Sequence, residues 1–436
     1  MVPPRKDLKI FKFICACLEK NGIFAARKSI LKLNFKFVIT MNNQLIARDL
    51  CTNIDRIFNY FSVVTMIGPR QSGKTTMCRS LYADLPYVNL EDASTLLEVQ
   101  QDPKAFLTKW EQGMIIDEAQ RYPDIFSYLQ VLVDEDRIRG NSSRRFVVTG
   151  SANFALMERV SQSMAGRTAV VTLLPLSTHE ILSRHPRFST DERILRGGYP
   201  ALWVNDMAGR DLILGNYYTT YVERDLRQLI QIKDLFQFNT FMRLCAGRIG
   251  TECNASALAA AVGVSVPTIQ SWLSVLEASY IIYPLRPYHA NIKKRLVKTP
   301  KLYFYDTGLA SWLLGIHSVE QMATHPLRGN LFENMVINEF VKERYNRLQT
   351  PNLYYYRDQQ QHEVDLLSVA DDGTFSAYEI KSGQTCRPEY FDGLRYLRDL
   401  FPDTLTSSRI VYDGDHPNPS PADSLVNYRA IGDLNI

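Results

Sequence analysis

The sequence predicts an α/β protein in three parts: a parallel-sheet core, a helical middle region and a C-terminal α/β domain. Three observations support this. The stretch "SVVTMIGPRQSGKTTMCRSLYADL" runs from a β-branched apolar segment through a glycine turn into a helix-like segment. Two further apolar runs, "GMIIDEAQ" and "RFVVTGSAN", end in acidic or hydroxyl side chains. Late in the chain, "HEVDLLSVA" and "SAYEIKSG" alternate along their length. Short apolar runs separated by helical patterns imply strands buried on both faces of a parallel sheet, whereas alternation implies strands with one polar face.

The chain has 436 residues, more than one ordinary core accommodates, so two or three domains are expected. We place a basic extension at 1–41, the sheet core at 42–190, a helical region at 191–310 and the last domain at 311–436. An apolar content of 45% and a charged content of 22% are those of a globular protein. A net charge of only +4 means that any nucleic-acid surface must arise from local clustering. The seven cysteines are odd in number and scattered, which argues against a disulfide framework or a structural zinc site and leads us to expect a cytoplasmic protein.

Residues 1–40 hold nine basic and two acidic residues among aromatic and aliphatic ones. No run there or later is long and apolar enough to span a bilayer. An amphipathic surface helix, an added packing element and a true start at Met41 all remain open. Helical spacing resumes in "QLIARDLCTNIDRIFNYF", before the first strand.

Strand, turn and helix then follow in the order a phosphate-binding loop needs, and Gly68, Gly73, Lys74 and Thr75 fit GxxxxGK[ST]. The bland alternative is an ordinary glycine-containing turn between strand and helix. In the functional reading, glycines let backbone N–H groups turn towards phosphate oxygens, aided by the positive amino end of the helix. Pro69, Arg70, Gln71, Ser72 and Thr76 complete the loop. Lys74 would reach the β and γ phosphates of ATP, and Thr75 would hold Mg²⁺. Asp117 would hold the same Mg²⁺ and Glu118 would polarise the attacking water. Thr149, Ser151 and Asn153 end the third run and suit γ-phosphate sensing, or merely a polar turn or helix cap.

Taken with "AGRTAVVTLLPLSTHEI", "RGGYPAL", "YVERDLRQL", "YFYDTGLASWLLG" and "GNLFENMVINEF", these motifs resemble a group of bacterial and archaeal AAA+ ATPases over nearly all of the chain after residue 42. The resemblance implies a P-loop AAA+ core, a winged-helix middle region and a C-terminal domain similar to the PD-(D/E)xK restriction-endonuclease-like fold. It also implies a homo-oligomer, a ring being one expected form, and makes Arg167 the arginine-finger candidate; its alternative is a surface ion pair.

In the middle region, "NASALAAAVGVSVPTIQSWLSVLEASYII" reads as two helices around a turn at Gly263, with Ser265 capping the second and Pro267 in its first turn. This is helix-turn-helix spacing, for which a lid and a DNA contact are equal alternatives. Lys293, Lys294, Arg295, Lys298 and Lys301 follow as a possible phosphate-binding hairpin, or a solvated one.

In the last domain, Leu331, Phe332, Met335, Val336 and Phe340 form one helix face, with Glu333 beside it. Glu363 and Asp365 share one strand face, as do Glu379 and Lys381. This is the arrangement of PD-(D/E)xK nucleases, in which Glu333, Asp365 and Glu379 would hold a divalent ion and Lys381 would steady water; an ion-paired surface is the alternative. The expected function is ATP hydrolysis coupled to DNA binding or processing, with a nucleotide-gated switch as the alternative.

Overall fold

A computed structural model of the chain describes residues 45–140, 143–150, 159–160, 162–223, 234–288, 299–415 and 425–434. Ser151, Asn153, Lys293, Lys294, Arg295, Lys298 and the basic extension lie outside the described residues.

The first sheet has five parallel strands in the order β2-β3-β4-β1-β5: β1 Val63–Ile67, β2 Tyr87–Asn89, β3 Gly113–Asp117, β4 Arg145–Thr149 and β5 Thr168–Thr172. Side chains alternate across a strand, so each strand feeds two cores. Val63 and Ile67 pack with Met114, Ile116, Phe146 and Val148 on one face. Val64 and Met66 pack with Ile115, Val147 and Val171 on the other. Helix α1, Lys74–Leu81, follows the turn after β1, and α2, Ile125–Ile138, covers the first face with Phe126, Leu129 and Val133. The ends of β1, β3 and β4 therefore lie along one edge, where the sequence places its glycines, acids and hydroxyls.

The helical spacing ahead of β1 is only partly realised. Residues 45–48 carry no regular secondary structure, Cys51–Ile54 is helical and Asp55–Asn59 is a 3₁₀ turn. The Arg48 side chain and the Asp49 N–H are both bonded to Glu180, and this long-range anchoring overrides local periodicity.

Two short helices, α3 Thr178–Leu182 and α4 Thr190–Arg196, lead into the middle region. There α5, Ala255–Val262, and α6, Val266–Ala278, meet at 109°. Asn254 caps α5 and Ser265 caps α6, the latter accepting from the Thr268 N–H. Ile269, Trp272, Val275 and Leu276 face the core, leaving Gln270, Ser271 and Ser274 exposed.

The chain then forms β6, Ile282–Pro287, antiparallel to β7, Lys301–Phe304. These strands join β8 Leu353–Arg357, β9 Glu363–Val369, β10 Phe375–Lys381, β11 Leu405–Tyr412 and β12 Leu425–Asn427 in one seven-stranded sheet, ordered β12-β11-β10-β9-β8-β6-β7. The sheet thus draws strands from both sides of residue 310. Helix α7, Arg328–Asn346, lies against it, with the Phe340 and Tyr378 ring centroids 4.6 Å apart. The expected apolar face of α7 is buried, but so are Asn334, Asn338, Glu339, Lys342 and Arg344. Its second side faces α3 and α4, and polar partners there replace solvent. Among the described residues no single helix is long and apolar enough to cross a membrane.

Candidate nucleotide site and C-terminal polar cluster

The turn after β1 is a loop of unusual backbone. Gly68 has φ 143°, Gln71 61° and Gly73 95°. A Cβ on Gly68 would stand 2.2 Å from the Leu173 carbonyl oxygen, so β1 and the segment after β5 close up only with glycine there. Such left-handed turns direct successive N–H groups towards one concave side, as an anion requires. In the loop the Ser72 hydroxyl is buried and has no hydrogen-bond partner.

Lys74 opens α1 and is 8% exposed. Its ammonium donates to the Gly68 oxygen at 3.0 Å and the Pro69 oxygen at 2.8 Å. Burial pulls its pKa down to about 8, partly opposed by Glu118 and Asp117. Thr75 Oγ1 donates to Asp117 Oδ2 at 2.7 Å. Tyr87 donates to the same oxygen at 2.8 Å, while Thr149 and the Glu118 N–H reach Oδ1. Asp117 is thereby fixed at the end of β3, 3% exposed. Glu118 takes the left-handed conformation, φ 57°, uncommon for a side chain of its type, and contacts Gln120.

An unpartnered hydroxyl, a glycine turn of positive φ, a buried ammonium and a threonine bonded to an aspartate together fit a nucleotide phosphate with Mg²⁺. Thr75 and Asp117 would hold the ion. Gln71 and Thr76 are exposed, and Arg70 lies over the Tyr221 ring at 5.4 Å.

Arg167 is not part of this constellation. Thr168 pairs with Val63 at the start of β1, whereas the loop follows Ile67, so about 15 Å of strand separates them at roughly 3.3 Å per residue. Its guanidinium instead makes two 2.8 Å bonds to Asp134.

The C-terminal carboxylates also meet, though with different chemistry. The Lys381 ammonium lies 2.7 Å from Glu379 Oε2 and 3.5 Å from Asp365 Oδ2. Lys301, 5% exposed, lies 2.5 Å from Glu363 Oε1 and 3.5 Å from Glu333 Oε1. The Tyr303 hydroxyl donates to Glu333 at 2.5 Å. Burial, reinforced by Asp365, raises Glu333 to about 7 and Glu379 to about 9. Burial also opposes ionisation of Asp365, but Lys381 and Lys301 more than offset it and hold its pKa below the ordinary value.

Among the described residues no three acidic, histidine or cysteine side chains form a group that holds a metal ion. The carboxylates expected to hold a divalent ion, Glu333, Asp365 and Glu379, are ion-paired in this structure, with the Lys301 and Lys381 ammonium groups between them. The same geometry corrects Lys301, expected on a phosphate-binding hairpin: it is buried on β7 against Glu363 and Glu333.

Residues 60–182 match the family model of an AAA domain. Residues 187–320 and 328–431 match models of two domains of unknown function, DUF8612 and DUF4143. Uncharacterised proteins of Mycobacterium tuberculosis and Mycobacterium bovis are each 33% identical over 403 residues, covering 89% of this chain and 86% of theirs. The chain belongs to their family of AAA-domain proteins. An uncharacterised Haemophilus influenzae protein is 23% identical over 230 residues, half of this chain and 55% of its own length. Among solved structures, a Walker-type ATPase of Pyrococcus abyssi is 13% identical and covers 62% of this chain and 97% of its own, with a TM-score of 0.42. The first part of this AAA-domain protein is the AAA domain, built on the parallel five-stranded sheet.

Sequence reasoning missed Tyr87, Arg48 and Tyr303 in these sites and gave Lys301 another role. Tyr87 lies in a three-residue strand whose signal is weak, and Arg48 precedes the sheet altogether. Lys301 and Tyr303 carried alternation that pointed to them only once β7 was known to border the cluster.

Proposed function

We propose that this AAA-domain protein hydrolyses ATP at the glycine turn and uses turnover to act on DNA through its middle and C-terminal regions. One observation carries the first part: a buried Lys74 behind a glycine turn of positive φ, with Thr75 hydrogen-bonded to Asp117 at 2.7 Å. On nucleotide binding Lys74 exchanges the Gly68 and Pro69 carbonyls for phosphate oxygens. Mg²⁺ bound with the nucleotide would offset phosphate charge. Asp117, held by Tyr87 and Thr149, keeps Thr75 orientated, and Glu118 polarises the attacking water. Arg167 sits at the far edge of the sheet, so any finger role falls to a neighbouring copy in a homo-oligomer, after release from Asp134.

Support for DNA is the 109° helix pair with Gln270, Ser271 and Ser274 exposed on α6, followed by a hairpin. DNA cleavage is not part of the proposal, because the C-terminal cluster is closed by lysines. The second reading, a nucleotide-gated switch, is favoured by the bonded path from the loop to α7 through Arg48, Glu180 and the α3 backbone.

Steady-state phosphate release measured with and without linear, branched and single-stranded DNA tests both readings. We expect turnover that rises with DNA and falls at least about a hundredfold in Lys74→Ala, given the size of electrostatic contributions to such reactions. Turnover unaffected by every DNA would favour the switch, and undiminished turnover in Lys74→Ala would remove the site.

A further inference from the structure

Arg48 lies twelve residues ahead of the segment that matches the AAA domain, yet it is bonded to the phosphate loop itself. Its Nη1 donates to the Ser72 carbonyl oxygen at 2.7 Å, Nη2 to the Leu174 oxygen at 2.6 Å and Nε to Glu180 Oε1 at 3.0 Å. The three acceptors belong to the loop, the segment after β5 and helix α3. The guanidinium is held from behind as well. Glu180 is 1% exposed and also accepts the Asp49 N–H at 2.8 Å and the Ser177 N–H at 2.8 Å. The Arg48 side chain is 8% exposed, so the array is nearly dry and each charged hydrogen bond in it is strong.

We propose that Arg48 is a positioning residue of the nucleotide site, acting through the peptide between Ser72 and Gly73. In a planar trans peptide the C=O and N–H point in opposite directions. Fixing the Ser72 oxygen outwards on Arg48 therefore turns the Gly73 N–H to the other side of the loop, away from Arg48. The planar fork matters because it ties three separate elements with one rigid group, which an ammonium on a flexible stem cannot reproduce. Closeness is part of the design: a Cβ on Gly73 would stand 3.6 Å from Arg48 Nη1. Arg48 itself presents no atom to the phosphates in this arrangement; it sets the direction of an amide that does.

This inference rests on the ATP reading of the loop, and its test separates the two. Full-length wild type, Arg48→Ala and Arg48→Lys are titrated with ATP and Mg²⁺ by calorimetry, and KM, kcat and the nucleotide-free melting temperature are measured on the same samples. We expect Arg48→Ala to raise Kd and KM for ATP about tenfold, the scale of one charge-assisted hydrogen bond, with kcat within about threefold of wild type. Arg48→Lys, which keeps the charge, is expected to melt as wild type does and still bind several-fold more weakly. Binding within twofold of wild type in both variants would overturn the role of Arg48, as would a fall in kcat with KM unchanged. Wild type that does not bind ATP at all would overturn the underlying reading instead.

Discussion

At Lys74 burial opposes the ammonium charge while Glu118 and Asp117 favour it, and the balance leaves a pKa of about 8 against the ordinary 10.5. The sign of the consequence follows from proton counting. Between pH 8 and 10.5 the folded chain holds fewer protons at this site than the unfolded chain, so this group adds stability as pH rises through that window. Nucleotide binding runs the other way, because phosphate oxygens select the charged form. We expect ATP affinity to be flat below pH 8 and to fall by up to about tenfold per unit above it, with proton uptake visible as a buffer-dependent calorimetric enthalpy. Affinity that is unchanged between pH 7 and 9.5 would show that Lys74 does not meet the phosphates. Single residues were legible here where type and spacing coincide: Lys74, Thr75 and Asp117 meet as their motif implies. Arg48 was not, because its three partners lie 24, 126 and 132 residues away.

Among the elements, the turn between β1 and α1 is where geometry is tightest. In Gly68→Ala the new methyl group would collide with the backbone of Leu173, and the positive φ adds strain. We expect a loss of about 1–3 kcal/mol in urea denaturation, with weaker ATP binding because the loop and β5 must part. An unchanged midpoint would mean that the loop adopts another conformation in solution. The parallel strands could be read from "SVVTMIG", "GMIID" and "RFVVT" because each is a short apolar run with turn residues behind it. The segment 44–61 misled, since its helical period reflects burial of Leu50, Ile54 and Ile57 while its first residues serve as anchors. Helix α7 misled in another way: periodicity found the face against the sheet, but Glu339 and Lys342 look like surface charges in a sequence and are buried ion-pair partners in the fold.

Across the whole molecule, the ATPase sheet and the C-terminal sheet are joined by polar contacts as much as by apolar ones. Glu339 of α7 accepts from the Thr178 N–H at 2.6 Å and pairs with Arg193 at 2.8 Å and Lys342 at 3.1 Å, all three side chains buried. Asp306 accepts from the Gly198 N–H at 2.6 Å, tying "RGGYP" to "YDTG". Buried, directional bonds of this kind fix relative placement more sharply than hydrophobic contact does, and they begin two bonds away from the phosphate loop. No sequence pattern announces the links of Glu339 to Thr178 and Arg193, or of Asp306 to Gly198, because each joins residues more than a hundred positions apart. The central claim is that the glycine turn holds a magnesium-bound triphosphate. Calorimetric titration of the full-length protein with ATP and Mg²⁺ at pH 7 tests it most directly. One saturable site per chain, lost in Lys74→Ala and in Asp117→Asn when Mg²⁺ is present, is the expected result; no heat of binding in wild type, or equal binding in both variants, would contradict it.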